Sequence, residues 1–266
     1  TNTDREIFRF GREGRGVCEF YYPFFLVNSF AYDSLIIYDS PAATLTKIDL
    51  AALVESRDIA KCANSEHLYR NLNFMYNFNK VDSAFIGTFI EKDEGLFSFC
   101  NRNNGEIKNT DYVPYYFYEK GRKDAYCHHV LVSEKDNSII VPFKYMNLIN
   151  CYDLDGNLKV TYALDWIKEE INTQIRVDEH TTVTFYRTYA TRNRCYLVWD
   201  GHKIEEELRK YPAKIVVMNW QGELEKVYQL DNFADFIIPD EKQRMIYVGV
   251  YNAGLEFVEI YKYPML

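Results

Sequence analysis

Glycine and proline are scarce in this sequence, 12 and 7 of 266 residues, which argues against a flexible, low-complexity chain. Positive charge is nowhere concentrated. The densest basic stretch, Lys120, Arg122 and Lys123, is offset by Glu119 and Asp124, and the formal net charge is −8. Nucleic-acid binders need a basic stripe that neutralises phosphates and releases counterions, so nucleic acid is not an expected partner. No apolar run is long and clean enough to span a bilayer. The best of them, Tyr21 to Tyr38, is interrupted by Asn28, Ser29 and Asp33 and reads as two strands.

Reactive motifs are missing as well. The six cysteines (Cys18, Cys62, Cys100, Cys127, Cys151 and Cys195) include no CxxC pair and no zinc spacing. Cys100, Cys127, Cys151 and Cys195 lie in apolar runs, where a free thiol acts as a small buried hydrophobe. Of the histidines, only His128 and His129 adjoin, and neighbours on a strand point to opposite faces. No transition-metal site is expected. There is no GxSxG, and Gly11, Gly14 and Gly16 do not open a helix as a dinucleotide site requires. Asp153-Leu154-Asp155-Gly156 resembles part of a calcium loop, but Cys151 and Tyr162 fall where that loop needs carboxylates, so it reads as a hairpin turn.

What the chain has in excess is aromatic residues: 23 Tyr, 18 Phe and 3 Trp. Such side chains suit a pleated, half-buried surface and point to sheet. Three segments share one design: Gly95 to Tyr112, Asn147 to Leu164 and Lys214 to Leu230. Each is an apolar strand, a turn closing on Gly105, Gly156 or Gly222, and a second strand. Upstream, Ser133 to Val141 and Asp240 to Val248 both place Glu-Lys and a polar turn before a short apolar strand, and Ser34 to Tyr38 and Asn193 to Val198 match that strand. The unit is four antiparallel strands recurring at a period of about 40–50 residues, the pattern of a propeller blade. Asp49, Asn101, Asp153, Trp220 and Lys262 mark equivalent third strands of five units, and a sixth, degenerate one fits between Leu50 and Lys80. Ile204 to Lys210 reads as a helical insertion and Asp49 to Ser56 as a second short helix. Asp4 to Phe10 is a spare alternating strand; paired into the last blade, it closes the ring and covers an open edge. The expected fold is all-β: a six-bladed propeller of four-stranded antiparallel blades, one domain over 1–266.

Three stretches carry a family resemblance. Gly11 to Phe20 (GREGRGVCEF) resembles a glycine-rich opening of the form GRxGxGPGEF, with Val17 and Cys18 in place of Pro-Gly. Val81 to Pro114 resembles a run from an apolar second strand through a glycine hairpin to Tyr-x-Pro, and Ile215 to Asp231 a Trp-x-Gly hairpin followed by Tyr-x-Leu-Asp. Together they resemble the TolB-like six-bladed propellers of Gram-negative envelope proteins. The resemblance implies a periplasmic or outer-membrane-anchored lipoprotein with its leader removed. It implies no catalytic residue, since the shared positions build blades.

Two residue groups suit binding. Tyr115, Tyr116 and Tyr118 crowd an inter-blade connection beside Arg122 and offer flat faces with polar tips; aromatics also fill the space between blades, and here they abound throughout the chain. Tyr186, Arg187 and Arg192 form a cationic group in an acidic protein, where Arg grips carboxylate or phosphate, although Thr191 to Arg194 also reads as a solvated turn. The expected function is a monomeric, non-enzymatic envelope propeller binding a protein or glycan through one face or the channel mouth. The alternative is a hydrolase or lyase of lactonase or glycan-lyase type around a channel-centred calcium ion, whose oxygen ligands would come from separate blades. A third reading is a structural module with an exposed apolar patch.

Overall fold

Strands that are apolar at every position are buried on both faces, whereas one-sided strands alternate. Both kinds occur here in a fixed order. A computed structural model describes residues 12–14, 18–26, 34–89, 95–113, 126, 128–164, 177–206, 211–252 and 257–265. The chain forms two compact units, Thr1–Asp93 with Phe97–Asn109, and Glu94–Leu96 with Thr110–Leu266.

The first unit holds two antiparallel sheets. One is β1 (Pro23–Phe25), β2 (Ser34–Asp39), β3 (Thr44–Asp49) and β4 (Ala63–His67); the other is β5 (Met75–Lys80), β6 (Ala84–Phe89), β7 (Ser98–Asn101) and β8 (Ile107–Asn109). Alternation along β2 divides its neighbours. Tyr38 faces the second sheet, packing with Leu45, Met75, Phe78 and Phe85, while Ile37 joins Cys18, Ile48, Leu53 and Cys62 on the opposite side. The Tyr38 ring stacks on Phe78 with centroids 4.1 Å apart, and its hydroxyl donates to Leu72 O at 2.5 Å.

The second unit holds three sheets: β9 (Leu131–Ser133) to β12 (Leu158–Ala163), through β10 (Ser138–Pro142) and β11 (Leu148–Tyr152); β13 (Thr182–Ala190) to β16 (Leu224–Gln229), through β14 (Arg194–Lys203) and β15 (Lys214–Asn219); and β17 (Phe236–Asp240), β18 (Met245–Asn252) and β19 (Phe257–Pro264). Every residue of β10 and β11 is buried, whereas β12 is largely exposed. Tyr196, Val198, Ile215 and Val217 of the β13–β16 sheet pack on Ile237, Ile246 and Val248 of the last sheet. Thr184 ties β13 to the preceding sheet: its hydroxyl lies 2.8–3.0 Å from the carbonyls of Phe143, Lys144 and Met146, and its N–H donates to Lys144 O.

These are the sheets of an all-β propeller. The hairpin glycines behave as expected: Gly105, Gly156 and Gly222 have φ of 72°, 84° and 85°. Cys18, which stands where the resembled opening carries glycine, is also left-handed at φ 59°. The expected six blades are not found; the described residues form five sheets. The stretch from Leu50 to Lys80, read as a degenerate sixth unit, is shared between the first two sheets. The helices α1 (Leu50–Ser56) and α2 (Ile59–Cys62) intervene, β4 completes the first sheet and β5 opens the second. Asp49 and Asp58 start those helices by accepting from Ala52 N and Ala60 N, so local capping takes residues that the repeat had assigned to strands. Ile204 to Glu206, expected to be helical, form turn and bend after β14; residues 207–210 lie outside the described residues, as does the spare strand Asp4 to Phe10. Cys18, Cys62, Cys100, Cys151 and Cys195 are free and buried, and Cys127 lies outside the described residues.

Two substitutions test this packing. Tyr38→Phe removes the donor to Leu72 O, and Thr184→Val removes the hydroxyl beneath three carbonyls. Each is expected to cost about 1–3 kcal/mol, the price of a buried polar group left without its partner. Urea midpoints should fall with an unchanged m-value; midpoints equal to wild type would show that neither bond contributes.

Candidate functional site

The three sheets of the second unit meet around Arg187. Lys144 comes from the turn between β10 and β11, Tyr186 and Arg187 from β13, Asp200 and His202 from β14, and Phe233 and Asp235 from the connection into β17. The local backbone is built to expose them unevenly. In register, Val183 opposes His202, Phe185 opposes Trp199, and Arg187 opposes Val198, so each strand carries an extra residue near this point. Such bulges bend a strand and re-aim its side chains. On β14 the bulge turns on Gly201, at φ 69°. A Cβ there would lie 2.0 Å from Trp199 Cη2, because the indole folds over this residue. Only glycine fits.

The Arg187 guanidinium sits between rings, 4.2 Å from the centroid of Tyr186 and 4.8 Å from that of Phe233. Lys144 Nζ also approaches Tyr186, at 4.6 Å. Arg187 Nη1 is 3.5 Å from Asp200 Oδ2, and Nη2 is 3.9 Å from Asp235 Oδ1. Both separations exceed ordinary hydrogen-bond length. Arg187 Nη1, both Asp200 oxygens, Trp199 Nε1 and His202 Nδ1 are buried without hydrogen-bond partners. Buried polar groups of native proteins are nearly always paired, so this concentration on one hairpin marks the site.

Burial dominates the electrostatics. It pushes the Asp200 carboxyl up to about 7, aided by Asp235 and opposed by Arg187 and Lys144. Burial likewise holds His202 and His129 below their ordinary value, and the positive charges of Lys144 and Arg187 add to that. His129 is tied by Nε2 to Tyr186 O at 2.8 Å. A net-acidic chain thus contains a locally positive cluster.

Of the residues singled out from the sequence, Tyr186 and Arg187 come together in this cluster, and Arg192 does not. Arg192 is exposed on the β13–β14 turn, the Thr191 to Arg194 stretch read as a solvated turn. Its neighbour Arg194 is neutralised by Glu225 at 2.5 Å and Glu241 at 3.6 Å. Tyr115, Tyr116, Tyr118 and Arg122 lie outside the described residues. Lys144, Asp200, His202, Phe233 and Asp235 were not anticipated. One signal was present, since Asp200-Gly201 interrupts an apolar strand, the mark of a bulge. Among the described residues, no three His, Cys, Asp or Glu side chains are grouped to hold a metal ion. In the first unit, a cleft of about 940 Å³ is lined by Thr44, Thr46, Asn64, Ser65 and His67. Thr44 bonds His67 and Thr46 bonds Ser65, so these groups satisfy one another.

No known family's sequence pattern matches this chain, and no curated protein matches it. Solved structures do resemble it. A member of the DUF4221 family from Bacteroides vulgatus matches with a TM-score of 0.53 at 11% identity, over 94% of this chain and 81% of that one. A hypothetical selenium-binding protein from Sulfolobus tokodaii matches at 0.48 and 8% identity, over 90% of this chain and 57% of that one. A catalytically inactive virginiamycin B lyase from Staphylococcus aureus, with quinupristin, matches at 0.45 and 12% identity, over 99% and 75%. The structures it resembles are β-propeller proteins, and at these identities the likeness concerns the fold alone.

The state of Asp200 is testable through stability. Its folded-state pKa lies above its unfolded value, so the stability it confers is complete below about pH 4 and is lost as pH rises to about 7. Asp200→Asn cannot ionise. Its unfolding free energy should gain on wild type from pH 4 to 7, by about 2–4 kcal/mol, and hold that margin above. Urea titrations across this range that run parallel for the two proteins would place the carboxyl in its ordinary range.

Proposed function

We propose that the protein is a non-enzymatic binding propeller of the cell envelope, and that it holds a glycan through the Lys144–Tyr186–Arg187 cluster. The observation that carries this reading is the guanidinium of Arg187, partly exposed beside two rings and standing 3.5 and 3.9 Å from two carboxylates that do not close on it. Donors and acceptors side by side suit hydroxyl groups, which both donate and accept. Placement in the envelope is supported by the TolB-like resemblance of the sequence.

A binding role is favoured over turnover by what is buried. A general acid must come within hydrogen-bond reach of the atom it serves. Asp200, the carboxyl with a pKa suited to that task, has a side chain with 0% exposure beneath Arg187, and His202 beside it is 2% exposed.

A glycan array probed with the whole chain tests the reading. Arg187→Ala and Tyr186→Ala should weaken capture at least about tenfold, as loss of a hydrogen-bonded charge does, while Arg192→Ala should leave it unchanged. EDTA should alter neither capture nor melting temperature. Breakdown of an arrayed glycan, or binding restored only by calcium, would move the protein to the lyase or hydrolase class.

A further inference from the structure

We infer that the Arg187 cluster takes a carboxylate carried by its ligand, as in a uronic-acid sugar, and that Asp200 takes up a proton from solvent when Arg187 turns to it. This rests on the binding role proposed above and names the ligand's chemistry.

The basis is a charge pair that does not close. A guanidinium grips a planar carboxylate by two parallel hydrogen bonds. Asp200 and Asp235, the two acids paired with Arg187, stand 3.5 and 3.9 Å away and form no such grip. Asp235 cannot readily turn, because its other oxygen accepts from Tyr251 N at 2.6 Å. Asp200 lies wholly beneath the surface, whereas Arg187 is 19% and Asp235 24% exposed. An arriving anion therefore meets the exposed part of Arg187 and not buried Asp200, with Lys144 Nζ 4.6 Å from the same Tyr186 ring.

The proton follows from the charges around Asp200. Facing it are Arg187 from β13, Lys144 from the β10–β11 turn and Asp235 before β17; His202, two residues further along its own strand, faces Glu206, Arg187 and Lys144. Arg187 and Lys144 are what hold the buried carboxylate ionised, against burial and Asp235. A ligand carboxylate that occupies Arg187 removes part of that support. One proton passes from solvent to an Asp200 oxygen, the ligand remains anionic, and no covalent bond other than that O–H forms or breaks. Burial, with Lys144 and Arg187, holds His202 and His129 below their ordinary values, and Asp200→Asn, which keeps both, isolates the carboxyl's share of the proton uptake. Well below pH 7 Asp200 is already protonated in the free protein, so affinity is flat there. Above pH 7 it must be protonated on binding, and affinity falls by up to about tenfold per pH unit.

Calorimetric titration of the whole chain with galacturonic-acid trisaccharide and with galactose trisaccharide, in two buffers of different ionisation enthalpy, reads both parts. The acidic sugar should bind at least about tenfold more tightly at pH 7, with proton uptake rising from near zero at pH 5.5 toward one at pH 8. Asp200→Asn, close in shape and with its folding checked by thermal melting, should bind the acidic sugar without proton uptake and about tenfold more tightly than wild type at pH 8. Equal affinity for both sugars, no measurable binding of either, or equal proton uptake by wild type and Asp200→Asn would overturn the inference. If the galactose sugar binds equally well and Arg187→Ala abolishes it, the binding role survives while the carboxylate assignment fails. If Arg187→Ala alters no glycan's binding, the binding role itself fails.

Discussion

The inner strands of these sheets are apolar on both faces and cannot stand alone in water. That constraint governs the rest. β10 and β11 are buried at every residue while β12 is mostly exposed, so the inner strands depend on flanking layers and the outer ones do not. Within the second unit the last two sheets share one core, and Thr184 anchors β13 to the carbonyls of the preceding turn. Within the first, Tyr38 faces a sheet on one side and Ile37 joins Leu53 of α1 and Cys62 of α2 on the other. Helices there cover a face that strands cover elsewhere.

Tight packing also explains the site. Where three sheets converge, charged groups are drawn out of water together, and their fields act with little screening. Burial raises Asp200 and lowers His202 and His129, while two cations set the local sign. The result is a guanidinium set close to the rings of Tyr186 and Phe233, with Nη1 buried and making no hydrogen bond.

The strand repeat was legible because each hairpin is a local event. Gly105, Gly156 and Gly222 announce their turns within a few residues, and the five third-strand positions, from Asp49 to Lys262, fall in or directly beside β3, β7, β11, β15 and β19. The number of blades was not legible from Leu50 to Lys80, where a competition between capping carboxylates and strand pairing decides the outcome. Tyr186 and Arg187 could be named from one stretch of chain. Lys144 and Asp235 could not, since they lie 43 and 48 residues from Arg187 in the chain and meet it only through folding. Asp200 was within reach, as a carboxylate beside glycine inside RCYLVWDGHK has no reason to be there unless the strand bulges.

The indole folded over Gly201 makes the chain its own optical probe. Trp199 directly precedes Asp200, its Nε1 is buried without a partner, and the ammonium of Lys214 stands 4.8 Å from its ring. Indole emission responds to nearby charge, so a negative charge appearing or vanishing one residue away must shift its colour. Trp220 is bonded to Thr191 O at the opposite end of the hairpin, away from that charge. The Trp199 part of the protein's natural fluorescence therefore responds to whether Asp200 carries its hydrogen, with no label attached.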